Sequence, residues 1–199
     1  MARIGLSRPY VARYSYDSAA DTVNYADGML IGKAIEASLE LNDSGDNILY
    51  ADNGPAESDS SFAGGTLELT TSDLPLDAAE LIFGATVDSV TVGEDPSAAQ
   101  GQRIKFTGSQ VSPYVGYGTI VEGQENNTKY YMAFILDKIQ FAKPASTFTT
   151  RGESIEWGTP SLSATVMLND KATQDWSEWV RFSTFEAADA YVKQFLNIQ

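Results

Sequence analysis

Four runs of this chain alternate apolar and polar residues: 33–41 (KAIEASLEL), 66–70 (TLELT), 153–157 (ESIEW) and 162–168 (LSATVML). Successive side chains of a strand point to opposite faces. Each run therefore predicts a strand with one apolar face and one wet face. The wet positions are Glu36, Ser38, Glu40, Glu68, Ser154, Glu156, Ser163 and Thr165. All are short or acidic, and none is Lys or Arg. Side by side, such strands build a broad, smooth, uncharged-to-negative surface, which suits a wall better than a reaction vessel.

The remaining sequence extends the all-β pattern. Residues 9–16 predict a first strand, 17–28 a polar connection, and 48–51 a short return strand. Residues 52–65 predict a long polar loop with one large apolar residue, Phe62. Loops of that length inside a domain are commonly functional. Residues 74–83 predict a short helix with Asp73 as N-cap and Gly84 as its stop. Residues 85–92 and 103–106 predict strands flanking a polar loop at 93–101. Residues 114–122 and 129–141 predict a hairpin whose second arm is apolar on both faces, the mark of a strand covered on two sides. Residues 176–182 predict a last strand. A closing helix at about 185–197 has capping-box spacing at Ser183 and Glu186 and an apolar face of Phe185, Ala188, Tyr191, Val192 and Phe195. The expectation is one domain over 1–199: all-β, a sandwich or strongly curved sheet of nine or ten strands with two short flanking helices.

Composition excludes several chemistries. The 199 residues contain no His and no Cys, so a Ser-His-Asp triad, a thiol nucleophile, an imidazole or thiolate metal site and a disulfide framework are all ruled out. The formal charge is −14 with only 13 Lys and Arg, too few cations to grip a phosphate backbone. No run approaches the roughly 18 apolar residues of a membrane span, and the first residues lack the apolar core of a signal peptide. A protein made in a cytoplasm is expected.

Candidate sites are weak beside their plain readings. Residues 42–46 (NDSGD) cluster oxygens but lack the ligand order of a calcium loop, and read as a turn. Asp52, Glu57 and Asp59 could supply paired glycosidase carboxylates, but their loop lacks the apolar shelter that raises a pKa. Gly116-Tyr117-Gly118 precedes no helix, so it is no phosphate cradle; its glycines suggest close backbone approach or a bulge. Trp157 reads as core, while Trp176 and Trp179 are balanced between core and interface. No enzyme, cofactor or metal is expected.

The ordered set of 32–37 (GKAIEA), 49–52 (LYAD), 57–59 (ESD), 64–69 (GGTLEL), 116–118 (GYG), the aromatic-rich 130–141, 152–157 (GESIEW), Thr159-Pro160 and the closing helix resembles the major tail proteins of siphophages, the tail tube subunits of long non-contractile tails. The resemblance spans nearly the whole chain and is poorest over 86–106. It implies a structural virion protein with a tail-tube fold, made in the host cytoplasm and incorporated into the tail. Its subunits would form hexameric rings that stack into a tube around a tape measure protein, then conduct double-stranded DNA without tight binding. About four strands per subunit would give an inner barrel of about 24 strands. At about 4.8 Å spacing that is a backbone diameter of about 37 Å and a bore of roughly 25 to 30 Å. The eight wet residues would then line the lumen, where an acidic wall lets DNA, with a charge every 1.7 Å or so, slide past. The 52–65 loop, with Asp52, Asn53, Glu57, Asp59 and Phe62, would reach a neighbouring subunit or ring, bonding to a base such as Lys33 or Arg103. The competing expectations are a tail-tip, baseplate or carbohydrate-binding β-sandwich module and, more remotely, a carboxylate glycosidase.

Overall fold

The computed structural model describes residues 2–43, 47–51, 54–59, 62–93, 99–144 and 158–199. In chain order the elements are β1 (Ala2–Asp17), β2 (Thr22–Leu30), β3 (Ala34–Asp43), β4 (Asn47–Ala51), β5 (Gly54–Asp59), β6 (Phe62–Thr71), α1 (Leu76–Phe83), β7 (Thr86–Val92), β8 (Ala99–Lys105), β9 (Tyr114–Glu125), β10 (Thr128–Phe141), β11 (Ser161–Met167), β12 (Ser177–Phe182) and α2 (Phe185–Phe195). Eight strands form one antiparallel sheet in the order β2-β1-β9-β10-β11-β6-β3, with β12 also on β10. β4–β5 and β7–β8 are separate two-stranded hairpins. The fold is mostly β, and the large sheet is open rather than closed into a barrel.

The frame is the β9–β10 hairpin, which turns through Asn126 and Asn127, both at positive φ. That conformation matches the twist of a two-residue hairpin turn, and Asn tolerates it well. β10 then changes partner along its length. Tyr131 to Leu136 pair with β12, and Lys138 to Phe141 pair with β11. The change falls at a bulge between Leu136 and Ile139, and there the sheet divides into two leaves.

Two cores lie on opposite sides of β1-β9-β10, which explains an arm that is apolar on both faces. On one side, Val11, Val115, Tyr117, Leu136 and Ile139 pack with Leu67, Leu69, Leu162 and Val166 of the second leaf and with Leu81 and Ile82 of α1. On the other, Tyr10, Ala12, Ile120, Ala133 and Ile135 receive Ala188 and Val192 of α2 and its C-cap Leu196. Gly116 and Gly118 are the close-approach glycines: a Cβ at Gly116 would lie 2.4 Å from the Tyr25 ring, and one at Gly118 2.5 Å from Val192 Cγ1. Asp189 ties α2 to β1. It accepts from Arg8 Nη1 at 2.6 Å and from the Tyr10 hydroxyl at 2.8 Å, with Lys193 Nζ at 3.0 Å. Burial alone would raise its pKa, but bonds from Lys193, Arg8 and Tyr10 outweigh that and lower it.

Several expectations need correction. The 17–28 connection is largely strand β2. The 52–65 loop is not a loop: it contains β5 and the start of β6, so β4 and β5 make a hairpin arm. Asp73 does not cap α1. The Ser72 hydroxyl donates to its carboxylate, and the helix starts after Pro75 without a side-chain cap. α2 is capped by Thr184, whose hydroxyl accepts from Ala187 N at 3.4 Å, not by Ser183. The strand expected at 153–157, with Trp157, lies outside the described residues.

Candidate functional site

Register decides whether the wet positions share a surface. Ser38 faces Glu68, and Glu68 faces Ser163; Glu40 faces Thr66, and Thr66 faces Thr165; Glu36 faces Thr70, and Thr70 faces Ser161. Three rows therefore cross β3, β6 and β11 on one face. The same face continues onto the C-terminal half of β10, where Gln140 stands opposite Thr165. Four strands contribute to it. Glu36, Ser38, Glu40, Glu68 and Thr165 are exposed and Ser163 is half-buried. Ser154 and Glu156 lie outside the described residues.

The acids are spaced as sheet electrostatics requires. Directly opposite residues sit about 4.5–5.5 Å apart at Cβ, and like charges there are destabilising. Each Glu here faces only Ser or Thr across the strand, and the nearest acid, Glu68 to Glu36 or Glu40, is diagonal. Among the described residues, none of the three forms an ion pair with Lys or Arg. The opposite face of the leaf carries Leu67, Leu69, Leu162, Ala164 and Val166, all buried. One departure is Ile35, extruded by a bulge between Ala34 and Glu36 and 54% exposed.

The margin of the face does hold a cation that the strand patterns missed. Lys138 pairs with Met167 across β10–β11. Its Nζ reaches both Asp170 oxygens, at 2.7 and 2.9 Å, and lies 4.6 Å from the centre of the Tyr114 ring. The bond from Lys138 lowers the Asp170 pKa. The pair is locally neutral and leaves the acidic rows unbalanced.

At the bulge, Asp137 is 5% exposed and its carboxylate accepts only from Asn169 Nδ2, at 2.8 Å, among the described residues. Burial raises its pKa, partly offset by Asn169. With a folded-state pKa above the unfolded one, its ionisation destabilises the fold: stability falls as pH rises from the unfolded value through the folded one, then levels off. Asp137→Asn should raise the melting temperature at pH 7 and flatten that slope above the unfolded value of about 4. A lower melting temperature at pH 7 would refute the assignment.

The contact-loop residues scatter. Asp52 and Asn53 lie outside the described residues, and Glu57 and Asp59 belong to β5. Phe62 opens β6 and stacks on Trp176, ring centres 4.8 Å apart and planes within 6°, so it serves the chain's own packing. Arg103 is held by Asp88, Nε to Oδ1 at 2.9 Å, and is not a waiting partner. Trp179 is 50% exposed. Among the described residues no group of His, Cys, Asp and Glu could hold a metal ion, and no helix is long and apolar enough to cross a membrane. No family model matches this chain, and no curated protein does.

Proposed function

We propose that this chain is the subunit of a phage tail tube, a structural virion protein whose hexameric rings stack into a conduit for DNA. The observation that carries the reading is the single polar face across four neighbouring strands, acidic and hydroxylic on β3, β6 and β11, a one-sixth share of strands for an inner barrel of about 24. Among the described residues β3 has no partner on its outer side in the sheet order. An open edge of that kind is a template for aggregation unless something pairs with it, and a ring of copies closing edge to edge removes it. The acidic face then becomes the inner skin, surrounding the tape measure protein and later passing double-stranded DNA without holding it. Negative-stain microscopy of concentrated protein should show rings or tubes with a central channel. Protein that stays monomeric at every concentration counts against the proposal.

Changing the skin tests its role. Glu36→Lys with Glu40→Lys places cations where DNA passes, and each new phosphate contact adds counterion release. Both positions are exposed, so tubes should still assemble. Phage carrying the pair should eject their genomes more slowly, with the deficit shrinking as salt rises. Ejection at the normal rate would remove the lining role.

A further inference from the structure

The two leaves do not close on each other along their whole length. On the second leaf, Leu39 of β3 stands opposite Leu67 of β6. On the first, Leu6 faces Val121, Val121 faces Met132, and Phe134 faces Trp179. Two inner faces of a sandwich normally interdigitate and fill the space between them. Here Leu67 is buried, but Leu6, Leu39, Val121, Met132 and Phe134 are only half-buried. They surround a cavity of about 260 Å³ between the leaves. Apolar surface left half-open gains from being covered, and apolar cavities take apolar ligands.

The body of the cavity calls for no polar group. Thr119, which lines it, donates its hydroxyl to the Ser7 carbonyl at 2.9 Å. Trp179 donates its indole N–H to Ser177 Oγ at 2.6 Å, so it offers the cavity only a ring. The rim is different. Arg3 lies there, its guanidinium 6.0 Å from the centre of the Trp179 ring. It forms no ion pair among the described residues. Arg3 stands opposite Gly123, and the nearest acids along that strand are already answered. Glu122 holds Lys129 at 2.6 Å, and Glu125 holds Arg181 at 2.7 Å. One unbalanced cation thus sits at the mouth of an apolar cavity, in a chain whose formal charge is −14.

We propose that this cavity binds a single-chain amphiphile with one anionic head, a free medium-chain carboxylate. The alkyl chain lies between the leaves, and the carboxylate sits on Arg3. Charge selects the head, and the aliphatic and aromatic wall selects the tail. Size selects a single chain. Ligand pockets run to about 300–1,000 Å³, and this one, at the lower end, is too small for the two acyl chains of a phospholipid. The inference stands apart from the tube reading, because a lone chain carries the whole site.

Isothermal titration calorimetry of the full chain with octanoate, decanoate and laurate, each below micelle formation, tests this. One site per chain is expected, and each two added methylenes should tighten binding about tenfold. Arg3 is exposed, so Arg3→Gln should leave the melting temperature unchanged. It should weaken decanoate about tenfold and leave decanol, which has the same chain without the charge, binding as the parent does. Leu41 lines the cavity and is 46% exposed, so Leu41→Trp narrows the space without disturbing the core. That change should weaken acid and alcohol alike. No saturable decanoate binding below about 1 mM would overturn the proposal, as would binding that neither variant weakens. Co-sedimentation with vesicles of phosphatidylglycerol and phosphatidylcholine separates the two sources of an acyl chain. Binding to free decanoate and not to vesicles is the expected result. A chain that pellets with vesicles and ignores decanoate carries a membrane surface instead, and the proposal falls. Tubes are scored separately by negative stain, so normal tubes without decanoate binding sink this inference alone.

Discussion

Replacing residues 44–61 with Asn-Gly should leave a folded monomer that no longer forms tubes. Asp43 and Phe62 are register partners at the ends of β3 and β6, so a two-residue turn can close them as a hairpin. Neither β4 nor β5 pairs with the large sheet. Phe62 and its stack on Trp176 are kept. The melting temperature should stay within a few degrees of the parent. If the arm links copies, tube formation should be lost at every concentration that supports it in the parent. Normal tubes from the shortened chain would assign the arm no part in assembly, while an unfolded product would show that it supports its own subunit.

Gly118→Ala should be among the most damaging single-methyl additions. The new Cβ would sit 2.5 Å from Val192 Cγ1 on α2 and 3.2 Å from Cδ1 of its C-cap Leu196, both fully buried. Overpacking of this kind costs about 1–3 kcal/mol. For a chain of this size that is a fall of roughly 3 to 10 °C in melting temperature. Val192→Ala removes the obstructing methyl and leaves a small cavity of its own. The two changes together should therefore be milder than their sum by about 1 kcal/mol or more. Strict additivity in a urea-unfolding cycle would mean that α2 does not press on β9 there.

What could be read ahead of the fold follows from how local each signal is. The alternation in β3, β6 and β11 and the apolar stripe of α2 are written in neighbouring residues, and the chain folds accordingly. β2 escaped notice because it is an edge strand with one fully buried residue, Tyr25, so it needs no apolar alternation. β5 escaped because Gly, Pro and acids argue against a strand. The first half of β1 is interrupted by irregularities between Arg3 and Gly5 and between Ser7 and Tyr10, which scramble a period of two. Asp73 looked like a cap, but Ser72 holds its carboxylate.

For the candidate face, each strand's polar side was legible and their alignment was not. Whether Glu68 stands beside Ser163 or slips by one residue is set by pairing between distant segments, and a single slip would turn a whole strand over. Lys138 was missed for the same reason. Its strand reads as doubly apolar, and only the bulge brings it to the margin beside Asp170.

The antiparallel ladder between β6 and β11 has a consequence for synthesis. β3 and β6 can zip together early, but the second side of β6 waits until Ser161 to Met167 emerge. Pairing across such a sequence separation is slow, and a waiting strand edge invites the edge of another nascent chain. Glu36, Glu40 and Glu68 sit on that unfinished ribbon, where charges oppose aggregation as gatekeepers do in other sheets. Repulsion between such ribbons on neighbouring ribosomes would hold them apart until each has its own partner, a second duty for the carboxylates proposed to face DNA.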